Sequence, residues 1–259
     1  MLFTLSPAKK LDYESPVSVA RSTEPLFVDD ATDLIDVLRR KSVAEVAKLM
    51  SLSDALARLN VQRYADWEPE FPPEVARPAL LAFNGDVYEG LQAATLNAKG
   101  LDWAQDHLVI LSGLYGALRP LDRMRPYRLE MGTRLKVGDA NNLYQFWDDR
   151  ITRYLNERLA DQREKVVVNL ASEEYFKVVK AGGLEAPVVQ CVFQDWKRDT
   201  FKVISFHAKR ARGLMARFAI DERIDSVKGL RDFNREGYRF VAEASTENQL
   251  VFRRRQDDA

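Results

Sequence analysis

Arginine and lysine crowd into two stretches of an otherwise balanced chain, and anion binding is the first chemistry that these residue types offer. From Ser112 to Lys136, SGLYGALRPLDRMRPYRLEMGTRLK holds five arginines and one lysine against two acids, Asp122 and Glu130. From Thr200 to Ile220, TFKVISFHAKRARGLMARFAI holds Lys202, Lys209, Arg210, Arg212 and Arg217 and no acid at all. A guanidinium presents paired N–H donors in a plane, matches phosphate oxygens, and stays charged. Glycines at 113, 116 and 132 let backbone amides approach the same anion. The candidate phosphate-binding groups are Arg119, Arg123, Arg125 and Arg128 from the first stretch and Lys209, Arg210 and Arg212 from the second. The competing explanation is internal pairing, for which 39 acidic residues supply ample partners.

Acid–base chemistry is the second candidate. Ser6 and Lys9, Ser112, Asn169 and Ser172, and Lys209 stand at the ends of predicted strands, and Asp86 and Glu130 lie in turn-rich blocks beside glycines. A carboxylate such as Glu130 or Asp86 among arginines, with Lys9 opposite, suits general acid or base work on a nucleoside or nucleotide. No Walker loop, dinucleotide fingerprint or nucleophile–base pair accompanies them. His107, His207 and the lone Cys191 do not fall at metal-ligand spacing. No metal or other cofactor is expected. Tyr115 and Tyr127 read as core or wall residues.

The elements that must position these groups follow from hydrophobic periodicity. Leu2–Leu5 is a short strand stopped by Ser6-Pro7, and 12–28 is a polar connection. Over 30–65 the apolar residues recur at helical spacing, with Ser42 followed by Glu45 as a capping box and Ser53 as a further cap. Pro72-Pro73 excludes a helix from the connector at 66–78. Leu108–Leu111 and Val166–Leu170 are buried strands, the second followed by a helix capped by the Ser172 hydroxyl. A helix spans 143–159. Strands at 188–193 and 201–206 are joined through QDWKRDT, and the helix 208–220 buries Ala211, Leu214, Met215 and Phe218. Short strands near 238–242 and 249–253 close the chain, and RRRQDDA frays. The expectation is one α+β domain over 1–259, a mixed β-sheet flanked by helices, with a helical subregion at about 30–65.

Composition narrows the classes further. With 39 basic and 39 acidic residues there is no global attraction to nucleic acid or membrane, so any attraction has to be local. No 18-residue apolar span occurs, and the apolar run at the N-terminus is too short for a signal peptide. One cysteine precludes an internal disulfide and fits a reducing compartment. A cytoplasmic protein without a membrane partner is expected, with a monomer as the working state.

Several blocks carry a family resemblance: SPAK (6–9), FNGDVYEGL (83–91), LSGLYGALRPLDRMRPYRLEMG (111–132), LYQFW (143–147), VNLASEEYF (168–176), AKRARGLMARF (208–218) and EGYRF (236–240). In order and composition the chain resembles the YaaA family of bacterial peroxide-stress proteins across nearly its whole length. The resemblance implies a family-specific mixed sheet with a positively charged cleft and a helix–hairpin–helix element. It also implies double-stranded DNA as partner, largely independent of sequence, and a role in limiting iron-dependent oxidative DNA damage. The helix–hairpin–helix would map onto 43–64, where the hairpin Met50-Ser51-Leu52-Ser53 lacks the usual glycine. Lys48, Ser51 and Ser53 would then be a secondary phosphate contact. The resemblance implies a lysine in some relatives where Asn84 stands, which would weaken a phosphate contact there or put an enzymatic activity in doubt.

Overall fold

The computed structural model describes residues 1–17, 19 and 21–255. Its main sheet has eight strands, β1 (Leu2–Leu5), β2 (Leu108–Ser112), β3 (Gly116–Leu118), β4 (Val167–Asn169), β5 (Val188–Lys197), β6 (Thr200–Lys202), β7 (Arg239–Phe240) and β8 (Gln249–Arg254). They lie in the order β7-β8-β5-β4-β1-β2-β3, with β6 hairpinned onto β5. The five inner strands β8, β5, β4, β1 and β2 are parallel, and the edge pairings to β3, β6 and β7 are antiparallel. Phe3 of β1 stands beside Leu108 on one side and Val168 on the other. Parallel strands are covered on both faces, which is why LFTL, LVILS and VVN are buried at every position. The architecture is the mixed sheet flanked by helices that the periodicity predicts.

The helical subregion forms as three helices, Val28–Arg39, Val43–Met50 and Asp54–Ala65. Ser42 and Glu45 make the capping box: the Ser42 hydroxyl accepts from the Glu45 amide, and the Glu45 carboxylate accepts from the Ser42 amide at 2.8 Å. The second and third helices are joined by Ser51–Ser53. Ser51 takes the left-handed conformation (φ 52°) that a glycine would take without strain, and the Ser53 hydroxyl caps the third helix.

Four local expectations are corrected. The helix expected over 143–159 is two helices, Leu143–Trp147 and Arg150–Ala160, broken at Asp148 (φ 48°, ψ −116°). The break lets the Trp147 indole donate to the Gly113 carbonyl at 3.0 Å and cover Gly116, where a Cβ would lie 2.7 Å from the ring. The Ser172 hydroxyl does not cap the four-residue helix Glu173–Phe176 and turns to Ser6 instead. The expected strand 201–206 stops at Lys202, because Ser205 and Phe206 already belong to the helix Ser205–Glu222. Its hairpin turns at Arg198-Asp199, both left-handed, the pairing that suits the strand twist.

The fourth correction is at the C-terminus. Arg253 and Arg254 do not fray but extend β8, while 256–259 lie outside the described residues. Arg254 is buried against Asp195, which also accepts from the Tyr238 hydroxyl at 2.8 Å and faces His207 Nδ1 at 3.2 Å. A buried carboxylate is tolerable only with such partners.

One close approach sets the geometry of the functional site. The helix Asp86–Leu91 lies on the helix Ser205–Glu222 backbone against backbone. A Cβ on Gly213 would fall 1.8 Å from the Val87 carbonyl oxygen, and one on Gly90 2.3 Å from that of Arg210. Only glycine permits both contacts. Among the described residues, no helix is long and apolar enough to cross a membrane.

Candidate anion-binding cleft

Because the inner strands are parallel, β1 and β4 end on the same edge of the sheet, the edge where crevices in such sheets usually receive ligands. After β1 the chain runs through Ser6, Pro7 and Ala8 to Lys9 and Lys10. After β4 it reaches Ser172. The Ser172 amide donates to Ser6 Oγ at 2.8 Å, the Ser6 hydroxyl donates to Ser172 Oγ at 3.3 Å, and the Tyr88 hydroxyl donates to the Ser6 carbonyl at 3.0 Å. This hydrogen-bonded floor lies under a cleft of about 420 Å³.

Five cations line the cleft, Lys9, Lys10, Arg128, Lys209 and Arg212, with three carboxylates, Asp86, Glu130 and Glu174. Glu130 is the meeting point: its Oε1 lies 3.2 Å from Lys9 Nζ and 3.2 Å from Arg128 Nη2. Its Oε2 is buried with no hydrogen-bond partner. Glu174 accepts from the Gly132 amide at 3.0 Å. Arg212 is half-buried and makes no ion pair or hydrogen bond among the described residues. Burial pushes its pKa below the ordinary arginine value, and its neighbour Cys191 supplies no counter-charge, because burial lifts that thiol to about 12. A guanidinium taken partly out of water without a counter-ion is a costly arrangement, and an incoming anion relieves it.

The wall is aromatic. The Tyr127 hydroxyl shares a 2.6 Å hydrogen bond with Ser112, Tyr88 and Tyr175 stand beside it, and burial holds all three phenols well above their usual range. They remain neutral. Tyr115 is buried behind the wall and donates nothing to the cleft; it accepts from Trp67 at 2.8 Å and from the Arg125 amide at 3.1 Å.

The two basic stretches therefore converge in part. Arg128 comes from the first, and Lys209 and Arg212 from the second. Arg119 is turned elsewhere, paired with the buried Asp122 at 2.8 Å, and lines a different hollow. Arg123 faces Glu24 at 4.0 Å. Arg125 donates to the carbonyls of Asp66 and Glu70 at 3.0 and 2.8 Å. Arg210 forms a forked pair with Glu236, whose hydrogen bonds raise the arginine pKa and lower that of the acid. Lys48, Ser51 and Ser53 are exposed on the helical subregion and do not line the cleft. Of the acid–base candidates, Lys9, Asp86 and Glu130 all lie in the cleft.

Sequence reasoning passed over Lys10 and Glu174. A signal existed for both, since each follows the carboxyl end of a buried strand within a few residues. Among the described residues, no group of three or more His, Cys, Asp or Glu side chains converges as a metal site.

A mixed sheet flanked by helices, with a cleft at its carboxyl edge lined by five cations and three carboxylates, makes this a mixed α/β protein. The chain belongs to the family of the peroxide stress protein YaaA, whose family model matches residues 1–244. It is 64% identical over 256 residues to a UPF0246 protein of Bordetella pertussis, covering 99% of this chain and 100% of that one. UPF0246 proteins of Paracidovorax citrulli and Azoarcus sp. are each 60% identical, covering 98% and 99% of this chain and 99% and 100% of their own lengths. The family description supports a role in peroxide stress.

Proposed function

We propose that this protein serves the peroxide stress response by binding double-stranded DNA through its phosphate backbone, in the cytoplasm and as a monomer, and so limits iron-dependent DNA damage. The observation that carries this reading is Arg212, half-buried in the cleft without a carboxylate and accompanied there by Lys9, Lys10, Arg128 and Lys209. Such a group gains more from a phosphate than an arginine already paired internally. Lys48, in the last turn of one helix, and Ser51 and Ser53, in the link to the next, are all exposed and add a secondary backbone contact of the helix–hairpin–helix kind. Backbone contacts carry no base readout, so binding is weakly dependent on sequence.

Lys9 and Lys209 are exposed, and reversing their charge leaves the core intact. The double variant Lys9→Glu/Lys209→Glu is expected to lose duplex binding in a gel shift with its melting temperature preserved. An unchanged shift overturns the reading.

A second reading rests on the unpartnered Glu130 Oε2. A buried carboxylate oxygen beside Lys9, with Asp86 also in the cleft, suits proton transfer on a bound nucleoside or nucleotide. It requires turnover of such a compound that disappears in Glu130→Gln.

A further inference from the structure

The cleft does not end at its own walls. A neighbouring groove of about 680 Å³ shares Lys10 and Asn84 with it. Those two residues are partners in a short antiparallel ladder, Lys10–Leu11 against Phe83–Asn84. The ladder is thus a sill with a hollow on either side.

The two hollows differ in chemistry. The cleft has five cations to three carboxylates. The groove has three cations, Lys10, Arg63 and Arg125, balanced by three carboxylates, Asp12, Glu14 and Asp66. Half of the groove's charges, Asp12, Asp66 and Arg125, are already engaged. Asp12 accepts from the Glu14 and Ser15 amides at 3.0 and 2.9 Å and pairs with Arg77 at 3.2 Å, and those contacts, the Ser15 bonds foremost, hold its pKa down at about 2. Arg125 is spent on backbone carbonyls.

Arg63 is the guanidinium left over. It is half-buried, its only hydrogen bond among the described residues is a 3.4 Å contact to Asn60 Oδ1, and no carboxylate lies within ion-pair distance. Burial lowers its pKa, and Arg128 across the sill lowers it further. Each hollow therefore holds one guanidinium that neither a carboxylate nor backbone carbonyls engage among the described residues, Arg212 in the cleft and Arg63 in the groove.

A second phosphate in a charge-balanced groove has little to gain, whereas a nucleobase suits it. A guanidinium plane stacks on any base, and carboxylates accept hydrogen bonds from exocyclic amines. We propose that the cleft and the groove form one two-lobed site for an unpaired stretch of nucleic acid. A backbone phosphate lies in the cleft against Arg212, Lys209 and Arg128, and the adjoining base passes over Lys10 and Asn84 to stack on Arg63. This rests on the phosphate reading of the cleft and sharpens it. A closed duplex has its bases stacked inward and reaches the first lobe alone, unless a base leaves the stack.

Fluorescence polarisation on the full chain tests the idea with a short mixed-sequence single strand and a blunt duplex of the same sequence. The single strand is expected to bind about tenfold tighter than the duplex, the scale of one stacked base. Arg63→Ala should weaken the single strand by about tenfold and leave the duplex unchanged, whereas Arg212→Ala should weaken both. As a second measurement on the unaltered protein, 2-aminopurine in the single strand should change its emission on binding. Equal affinities, a silent Arg63→Ala or unchanged 2-aminopurine emission removes the two-lobed site while leaving the phosphate cleft standing. A silent Arg212→Ala brings down the cleft reading itself.

Discussion

Lys9 and Glu130 meet across the cleft at 3.2 Å, and the same carboxylate oxygen also receives Arg128 at 3.2 Å. One acid therefore restrains two of the cations that would meet a phosphate. Lys9 is largely exposed, so its share of that contact is weak, whereas Arg128 and Glu130 are both mostly buried.

Removing that acid has a sign that the binding reading fixes. Glu130→Gln keeps the shape of the side chain, frees Lys9 and Arg128, and takes one negative charge from the cleft. Duplex affinity should rise severalfold, and the fall of log affinity with log salt should steepen by about 0.9 for each additional phosphate neutralised. A salt titration followed by polarisation measures both. Weaker binding would show that Glu130 positions the cations and does not merely restrain them.

Arg212 should trade stability against function. Arg212→Met keeps most of the aliphatic length and removes the unpaired charge, stabilising the fold by about 0.5–1 kcal/mol. The melting temperature should rise by about 2–4 °C for each kcal/mol of added stability while DNA affinity falls. A variant that loses both stability and binding would mean that the guanidinium has a structural partner.

Gly213 couples the fold to the cleft. Gly213→Ala drives a methyl group into the Val87 carbonyl, and the helix Asp86–Leu91 must move off the helix Ser205–Glu222. The expected cost is about 2–3 kcal/mol in urea unfolding, with the cleft's Asp86 side displaced from its Lys209 and Arg212 side. Binding should fall even at temperatures where the variant remains folded. A change in stability alone would show that the two walls adjust independently.

Cys191 should be inert, although the family serves peroxide stress. Burial raises its thiol from 9.0 to about 12, so the nucleophilic thiolate is scarce at neutral pH. Ellman's reagent should find no reactive thiol in the native chain and one in urea. Since the folded pKa lies above the unfolded one, the contribution of this thiol to stability is complete below pH 9 and is lost as pH rises towards 12. Rapid native labelling at neutral pH would contradict this.

Local rules carried much of the fold. The runs LFTL, LVILS and VVN read as buried strands because a parallel sheet covers both faces and leaves no polar alternation. Ser42 with Glu45 announced a helix start because the capping box closes within four residues. The misreadings lie where distant partners intervened. Asp148 breaks a continuous helical pattern so that Trp147 can reach Gly113, and Ser172 leaves its own helix for a serine 166 residues away.

What the amino-acid order determined alone was the concentration of charge, cationic groups in two acid-poor stretches of a neutral chain. Which of them remain available was decided only in three dimensions. Arg210 is claimed by Glu236, Arg125 by the carbonyls of Asp66 and Glu70, and Arg254, expected to fray, by Asp195 in the core. Arg212 is left over because the residue beside it is a neutral, buried thiol. Coulombic attraction depends on distance and on exclusion of water, and neither is written in spacing along the chain until the sheet has brought its strand ends to one edge.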